Sequence, residues 1–453
     1  MEESLKLKVR SSKLIQSPIV AFLWDESFLW GLMAYKALKA NGLPFELIRS
    51  DEIKNGCLKN YRMLFVPGGW ASNKLKTLGD NGISEIKKFV RNGGNYLGFC
   101  GGAGLATMDG IGLLPIKRMP TKDRVPSFSG RINLSLNVHP VWDDIKKSGF
   151  GKKLIPNPQS LTPVFHAWWP SQFLIEDMDI KILAAYGEAL PDSFSSDLNV
   201  GDVNSSGGWD RFEKAYGINL DPGRLLNEPA VVEGTYGKGK AILSLIHFDT
   251  PDDANGAVVL KSLWEYLAQN ANALSYPPLN NPPQPLLNLR GGEGELRGSY
   301  EIQNPKFKIV ELVTMLENAV SDLIALGIRN FLWFWRNPML LQWRRGVRGL
   351  EYCTLYVMIK ELSSFSGQLS AIDKEKLQSI KKLLIPFTEK AKQLLILERH
   401  AMQNGHITYE KCGDPEMQKI RTELFGNSKS YGGLFKALIN DLDSILYFLI
   451  KQR

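Results

Sequence analysis

Cysteine is scarce in this sequence and irregularly spaced. Four of the 453 residues are cysteines, at Cys57, Cys100, Cys353 and Cys412. Because no two of them form a C-x-x-C pair, the pattern argues against a disulfide framework, a zinc site or any other metal centre. We therefore expect free thiols, which suit the reducing environment of the cytoplasm.

Long apolar runs are missing as well. No segment approaches the roughly 20 uninterrupted apolar residues that a membrane span needs. Residues 1–8 carry acids early and lack the apolar run of a signal peptide, so we expect a cytoplasmic protein. Hydrophobic residues make up 44% of the chain and charged residues 23%, which is typical of globular proteins, and the length favours two or three domains. The sequence contains no cofactor-binding motif, and we expect no cofactor.

The first half of the chain alternates apolar and amphipathic segments. We predict strands at residues 18–24, 44–48, 63–66 and 96–99 and helices at residues 26–41 and 83–91. Alternation of this kind is typical of an α/β fold, in which a mostly parallel, doubly wound sheet carries helices on both faces.

Cys100 lies where the last of these strands meets a cluster of small residues that opens an apolar helix. A nucleophile at the tip of a strand-to-helix turn needs small neighbours, because the turn is tight and strained. The backbone N–H of Gly101, at the start of the helix, can donate to an oxyanion. The pattern predicts a nucleophile elbow; the alternative is a buried structural cysteine before a glycine-rich turn.

A second glycine-rich loop follows the strand at residues 63–66. It reads Pro-Gly-Gly, and the N–H of Gly69 can approach a ligand at the carboxyl edge of the sheet, beside the elbow. We expect Gly69 to be the second oxyanion donor. The alternative is an ordinary turn that closes the strand.

A histidine and an acid end an apolar segment late in the first half, at His247 and Asp249. If the strand continues through them, both side chains project to the same face, and the acid can hold the imidazole in one tautomer while it activates a thiol. The sequence thus predicts a Cys100, His247 and Asp249 site. The alternative is a polar histidine that reaches solvent.

The ordered set Pro-Gly-Gly, Gly-x-Cys-x-Gly-Ala-Gly and His-x-acid resembles the class I glutamine amidotransferase-like superfamily. Within it, the sequence is similar to the biotin–protein ligase N-terminal domain family over about residues 15–270, with further support from Phe-His-Ala-Trp-Trp-Pro at residues 165–170 and Tyr-Gly-Lys-Gly-Lys at residues 236–240. The resemblance implies a glutamine amidotransferase-like sheet with Cys100 at its carboxyl edge.

Two departures limit what the resemblance implies. Asp249 stands where glutamine amidotransferases have Glu, and Phe248 replaces the Pro between the histidine and that Glu, so the Cys100 and His247 dyad is a firmer prediction than the triad. The adenylate-binding Gly-Arg-Gly-Arg loop of biotin ligases is absent, and so is a synthetase or ammonia-acceptor domain. We therefore predict neither biotin ligation nor glutaminase activity.

Four further residues are weaker candidates for the site. Asp25 ends the first strand on the elbow's edge of the sheet, although it could equally cap the helix that follows. His166, Trp168 and Trp169 supply polar and aromatic side chains suited to a pocket. Residues 191–222 form a long polar excursion. The two alternatives for this segment are a lid over the site and an ordinary surface loop.

The second half of the chain has a different character. We predict an α/β domain at residues 15–272, a Pro- and Gly-rich linker at residues 273–303 and a separate all-α helical bundle at residues 304–453. Helices are expected near residues 309–328, 337–365, 372–403 and 414–450, the third of them interrupted or kinked near Pro386.

Positive charge is concentrated in this helical half. It contains 22 Lys and Arg against 15 Asp and Glu, so it carries +7 of the chain's formal +8. Between residues 329 and 348 arginines are interleaved with aromatic residues, without an acid: Arg329, Phe331, Trp333, Phe334, Trp335, Arg336, Trp343, Arg344, Arg345 and Arg348. Such a stretch can meet nucleic acid, an anionic membrane or an acidic helix. The reading we favour is a bundle helix with a buried aromatic face, so neither nucleic acid nor a membrane surface is expected as a partner.

Two functions of different classes remain. One is a cysteine-dependent hydrolase or amidotransferase-like enzyme that acts on a small-molecule or peptide-like amide or acyl substrate. The other is a non-catalytic binding or scaffolding protein, which uses the helical bundle to bind a protein partner or form a homo-oligomer. The reactivity of Cys100 distinguishes them.

Overall fold

The computed structural model describes residues 20–148, 162–268, 305–365, 368, 374–405, 408, 414–427 and 431–452. The predicted linker at residues 273–303 lies outside this part of the chain, so the domain boundaries remain predictions. Within the described residues, no helix is both long and apolar enough to cross a membrane.

The first region, residues 20–268, contains strands of two to nine residues. They are β1 (Val20–Leu23), β2 (Glu46–Ile48), β3 (Met63–Val66), β4 (Asn95–Phe99), β5 (Ile116–Arg118), β6 (Phe128–Leu136), β7 (Val164–Trp168), β8 (Phe173–Ile175), β9 (Lys181–Ala189), β10 (Phe194–Ser195), β11 (Leu198–Asn199), β12 (Pro229–Tyr236) and β13 (Gly239–Ser244).

Helices connect many of these strands. They are α1 (Phe28–Ala40), α2 (Ser50–Lys54), α3 (Ala71–Arg91), α4 (Gly101–Ala106), α5 (Asp143–Ser148), α6 (Val200–Ser205), α7 (Asp210–Tyr216) and α8 (Ala254–Ala268). The predicted excursion at residues 191–222 therefore contains two short strands and two short helices.

One large mixed sheet organises the first region. Its strand order is β11-β10-β6-β9-β12-β13-β4-β3-β1-β2, with β7 also paired to β6, while β5 and β8 pair separately. The five strands β2, β1, β3, β4 and β13 run parallel, and the strands beyond β13 pair antiparallel. The predicted α/β fold is confirmed, and its parallel half brings the carboxyl ends of β1, β3, β4 and β13 to one edge.

The parallel strands are buried on both faces. All four residues of β1 and of β3 are inaccessible to solvent, which explains why these segments read as uninterrupted apolar runs. At their centre the ring of Phe65 contacts three others at centroid distances of 5.2–5.5 Å, those of Phe22, Phe99 and Trp264. This packing fixes the strand ends from which the candidate site is built.

The second region, residues 305–452, is helical, as predicted. Its elements are α9 (Pro305–Arg329), β14 (Trp333–Asn337), β15 (Leu340–Trp343), α10 (Gly349–Ser364), α11 (Lys374–Ala401), α12 (Pro415–Phe425) and α13 (Gly433–Lys451). Helix α11 runs through Pro386 as one element.

A hairpin replaces the first part of the helix predicted at residues 337–365. Strands β14 and β15 pair antiparallel, and α10 begins only at Gly349. The reason is local: Asn337-Pro338 favours a turn, and the flanking tryptophans prefer extended backbone. The helical periodicity of the neighbouring segments led to the prediction of a helix in place of this turn.

The hairpin packs against the first region. The ring of Trp343 stacks on Trp169 with centroids 5.0 Å apart, and Arg336 donates a hydrogen bond of 2.8 Å to the carbonyl of Ser129. Trp333 is buried, with 3% of its surface exposed. The basic and aromatic stretch therefore builds an internal contact between the two regions. It does so as a hairpin and not as the predicted bundle helix, and Phe331 and Phe334 remain 75% and 50% exposed.

Helix α13 meets the first region at the carboxyl edge of β1. Lys436 forms an ion pair of 2.6 Å with Glu26, and Asp443 pairs with Arg49 at 2.9 Å. The second region thus lies against the edge of the sheet to which Cys100 belongs.

Candidate active site

Cys100 occupies a strained turn between β4 and α4. Its backbone has φ 49° and ψ −105°, a left-handed φ that costs free energy for any residue with a Cβ. The turn is held by its own N–H, which donates to the carbonyl of Ser244 at the end of β13 over 2.8 Å. The predicted strand–turn–helix arrangement around the thiol is therefore present.

The two predicted oxyanion donors come together beside this turn. A Cβ on Gly101 would clash with the carbonyl of Gly69, so the two loops can approach only because residue 101 is glycine. Gly69 itself has φ 117°, and a Cβ there would lie 2.5 Å from the carbonyl oxygen of Glu26. Both positions therefore require glycine. At Gly101 a side chain would collide with the neighbouring loop, and at Gly69 the positive φ disfavours a side chain as well.

His247 and Asp249 form a buried pair. Nδ1 of the imidazole lies 2.9 Å from Oδ1 of Asp249, and neither side chain is accessible to solvent. The sequence analysis predicted this pairing from alternation along a strand, but β13 ends at Ser244, before His247. A turn brings the side chains together instead, and Thr250 closes it with a hydroxyl hydrogen bond of 2.9 Å to the carbonyl of His247.

The free ring nitrogen of His247 is the one available to Cys100. Nε2 is buried and has no hydrogen-bond partner of ordinary geometry among the described residues. Burial alone lowers the pKa of His247, but the charge of Asp249 and the hydrogen bond to it, followed by interactions with Cys100, raise that pKa to about 10. The pairing with Asp249 and the interactions with Cys100 thus favour the protonated form of the imidazole.

Trp30 covers the imidazole and was not predicted. Its ring stacks on His247 with centroids 4.8 Å apart and planes at 30°. Trp169, one of the weaker candidates, meets Trp30 edge-on at 6.1 Å. These rings exclude water from the His247 face. Trp30 lies in the almost wholly apolar α1, where no sequence pattern distinguishes it from the core residues around it.

Lys74 is a second residue of the site that was not predicted, and it is a basic one. It is fully buried, and its ammonium donates to the carbonyl of Asp25 at 2.9 Å and to the hydroxyl of Ser27 at 2.5 Å. Burial lowers the pKa of Lys74 to about 7, although the charges of Glu26, Asp25 and Cys100 oppose that shift. In the sequence it stands in a polar run, which resembles an ordinary solvated helix face.

Asp25 is engaged by the segment that begins α2. One carboxylate oxygen accepts a hydrogen bond of 2.5 Å from Arg49, and the other accepts one of 2.6 Å from the N–H of Ser50, at the start of α2. Both oxygens are thus occupied. Asp25 therefore supports the start of α2. The alternative considered for the sequence had placed it at the start of α1.

The other two weaker candidates flank the His247 turn. The carbonyl of His166 accepts the backbone N–H of His247 at 2.9 Å, and its Nδ1 lies 2.7 Å from Oδ2 of Asp253. Trp168 stacks on His166 and donates through Nε1 to the hydroxyl of Thr250 at 3.0 Å. Both therefore hold the turn in place. Within the described residues, no three His, Cys, Asp or Glu side chains are grouped so as to hold a metal ion.

Comparison with known proteins finds a family match over part of the chain. Residues 48–109 match the family described as biotin-protein ligase, N terminal. Among curated proteins, no relative matches the chain.

Solved structures share low sequence identity with this chain. A crystal structure of a glutamine amidotransferase is 16% identical, with coverage of 55% of this chain and 98% of that one and a TM-score of 0.33. A cytoplasmic protein from Salmonella typhimurium LT2 is 12% identical, with coverage of 55% and 98% and a TM-score of 0.32. A β-galactosidase from Rahnella sp. R3 is 16% identical, with coverage of 55% of this chain but 31% of its own and a TM-score of 0.32.

The matched segment contains two of the loops that build the site. Gly69 and Cys100 both lie within residues 48–109, whereas His247 and Asp249 lie beyond them. The predicted resemblance is therefore confirmed where the motifs are densest: residues 48–109 are similar to the N-terminal region of biotin-protein ligases.

Proposed function

We propose that this protein is a cysteine-dependent hydrolase or amidotransferase-like enzyme that acts on an amide or acyl substrate. The observation that supports the proposal is the buried Asp249 and His247 pair, whose imidazole interacts with Cys100 at a strained turn and whose Nε2 has no other partner among the described residues. A reducing cytoplasm is the compartment we propose, because the described cysteines are free and the nucleophile has to stay reduced.

In the acylation step, the thiolate of Cys100 attacks the carbonyl carbon of the substrate. His247 holds the proton that Cys100 has given up and passes it to the leaving amine or alcohol as the carbon–nitrogen or carbon–oxygen bond breaks. Asp249 fixes the tautomer and compensates the charge of the imidazolium. The product of this step is a thioester on Cys100.

We assign the N–H groups of Gly69 and Gly101 as the donors to the negative oxygen of the tetrahedral intermediate. Such donors act strongly when they are fixed before the reaction, and the close contact of the two loops fixes them. Water, activated by His247 as general base, then attacks the thioester, and Cys100 leaves as the thiolate. In an amidotransferase-like reaction an amine takes the place of that water.

The test is acylation of the full chain by p-nitrophenyl acetate, a generic acyl donor. We expect a burst of up to one equivalent of p-nitrophenol and an acetyl group on Cys100 in the intact-mass and peptide spectra. The C100S variant should lose the burst, and the matched control C57S should keep it, because burial and then the charge of Glu52 raise the pKa of Cys57 to about 11.

A different result would favour the non-catalytic alternative. If acetyl groups spread over Cys57, Cys100 and Cys353 alike, or if Cys100 alone stays unmodified, the site does not activate its thiol. The protein would then use the same fold for binding. Burial raises the pKa of Cys353 to about 12, so it serves as an internal reference for an unactivated thiol.

A further inference from the structure

Two arginines lie beside the elbow and take no part in the proposed chemistry. Arg118 ends β5, and Arg124 lies in the turn that follows it. The guanidinium of Arg118 packs on helix α4: its Nη1 lies 3.0 Å from the point where a Cβ on Gly104 would stand. A larger residue at position 104 would therefore displace Arg118 from the elbow.

The hydrogen-bonding capacity of both arginines is incompletely used. Their Nε atoms are buried and have no hydrogen-bond partner among the described residues. For Arg118 the carboxylate of Asp109 is 3.7 Å away, which is too far for a hydrogen bond, and 47% of the Asp109 side chain is exposed. Arg124 donates through Nη1 to the neutral hydroxyl of Ser171 at 2.7 Å.

The two guanidinium groups are also close enough to repel each other. Burial lowers the pKa of Arg124, and the charge of Arg118 lowers it further, whereas the charges of Cys100 and Tyr186 raise it. Among the described residues, no carboxylate lies within ion-pair distance of Arg124. Arg118 therefore has one long ion pair, with the half-exposed Asp109, and Arg124 has none among the described residues, so the two partly buried cations leave room for a further anion.

We propose that Arg118 and Arg124 bind an anionic group of the substrate, a carboxylate or a phosphate, and so position its carbonyl group at Cys100. The inference rests on the proposed function and deepens it, because it names the substrate class as an amide or acyl compound that carries an anion. Arginine suits this task, since its planar fork matches the oxygens of carboxylates and phosphates. Gly104 supports the site by admitting Arg118.

Two alkylating reagents that differ in charge test the proposal. Iodoacetate and iodoacetamide react in the same way: the thiolate attacks the methylene carbon, a carbon–sulfur bond forms and iodide leaves. Iodoacetate carries a carboxylate and iodoacetamide does not. The ratio of their rates at Cys100, measured by peptide mass spectrometry on the full chain, therefore reports attraction of an anion independently of the intrinsic reactivity of the thiol.

We expect the double variant R118Q/R124Q to lower this rate ratio about tenfold or more, since each lost hydrogen bond to a charged group removes a sizeable part of the attraction. Any change in the reactivity of the thiolate itself affects both reagents and cancels in the ratio. The matched control is R131Q, because Arg131 forms an exposed ion pair with Asp192. Equal ratios in the unmodified protein, R131Q and the double variant would overturn the proposal.

Failure of the proposed function gives a different pattern. If Cys100 reacts slowly with iodoacetamide, the activated thiol is absent, and the anion site is then decided by thermal unfolding with glutarate or inorganic phosphate. A rise in Tm with glutarate alone assigns a carboxylate, and a rise with phosphate alone assigns a phosphate. The rise should vanish in R118Q/R124Q and persist in R131Q. No rise with either anion would overturn the proposal.

Discussion

The two regions of the molecule differ in how they hold buried charge, although the first region also contains a buried ion pair, that of His247 with Asp249. In the second region, the guanidinium of Arg421 pairs with Glu398 at 2.9 Å, and Arg348 pairs with Glu351 at 2.9 Å. Around Cys100 in the first region, the ammonium of Lys74 contacts a carbonyl and a hydroxyl, with no carboxylate at ion-pair distance among the described residues.

The difference distinguishes charges that fix the packing of the fold from charges that act on a ligand or a reacting atom. A buried ion pair with both partners present is neutral overall and fixes how helices pack. An unpaired buried cation costs stability, and proteins retain such groups mainly where a ligand or a reacting atom completes the pair. We therefore expect substitutions near Cys100 to act on reactivity, and substitutions in the second region to act on stability.

The largest effect should follow from loss of the imidazole. In H247Q we expect alkylation of Cys100 by iodoacetamide to slow about 10³-fold, because the thiolate loses the group that holds its proton. The measurement is the labelling rate in samples whose near-ultraviolet circular dichroism shows a folded chain. The matched control is H139Q, because His139 lies near Glu233 at 3.6 Å. Equal slowing in both variants would contradict a special role for His247.

The next largest effect belongs to the second region. E398Q removes the negative partner of the buried Arg421, so we expect a loss of about 3 kcal/mol in the free energy of unfolding. Cys100 in the folded variant should react at the unmodified rate. Urea unfolding followed by tryptophan fluorescence measures the first quantity, and iodoacetamide labelling measures the second. A slowed thiol in E398Q would show that the two regions are less separate than the comparison implies.

Stability against pH tests the two buried basic groups of the first region, His247 and Lys74. Between about pH 7 and 10, folded His247 is protonated while an unfolded histidine is neutral, so its contribution falls as pH rises. Folded Lys74 is neutral while an unfolded lysine is charged, so its contribution rises. The two slopes oppose each other in the unmodified protein.

Substituting the lysine should expose the histidine slope. In K74M we expect the free energy of unfolding to fall with pH by about 1.4 kcal/mol per unit more steeply than in the unmodified protein, which is the effect of one proton. Urea unfolding at pH 7.5, 8.5 and 9.5 gives the slope. The control K390M changes a half-exposed lysine of the second region. Parallel curves for K74M and the unmodified protein would show that Lys74 is charged in the fold.

The sequence predicts the backbone geometry around the candidate residues where the determinants of that geometry are local. The strained turn at Cys100 and the close approach of Gly69 follow from strings of glycine beside apolar strands. The pairing of His247 with Asp249 is also local, although it arises from a turn and not from strand alternation. In each case the residues that decide the geometry lie within a few positions of the functional one.

What the sequence misses depends on tertiary contacts. Trp30, Lys74 and Arg124 lie in segments whose composition is unremarkable, and only the packed sheet edge brings them near Cys100. Where the sequence predicts a helix from residue 337, the structure has the hairpin at residues 333–343. Its actual partner, Trp169, lies more than 160 positions away in the chain.

The smallest predicted effect concerns the contact between the two regions. Lys436 of α13 pairs with Glu26, whose carbonyl oxygen borders Gly69, and both side chains are mostly buried. In K436A we expect a loss of about 1 kcal/mol or less in the free energy of unfolding. Because the Glu26 loop then has more freedom beside an oxyanion donor, Cys100 should also acetylate more slowly, by about twofold to fivefold, with p-nitrophenyl acetate.

The matched control for that prediction is K390A, which breaks a pair with Glu423 inside the second region. Its stability should fall by a similar amount, while its acetylation rate should stay unchanged, because no part of that pair reaches the sheet edge. Burst kinetics and urea unfolding on both variants give the comparison. If K436A and K390A behave alike in both measurements, α13 serves only to hold the regions together; if K436A alone slows acetylation, the second region helps to shape the oxyanion site of the first.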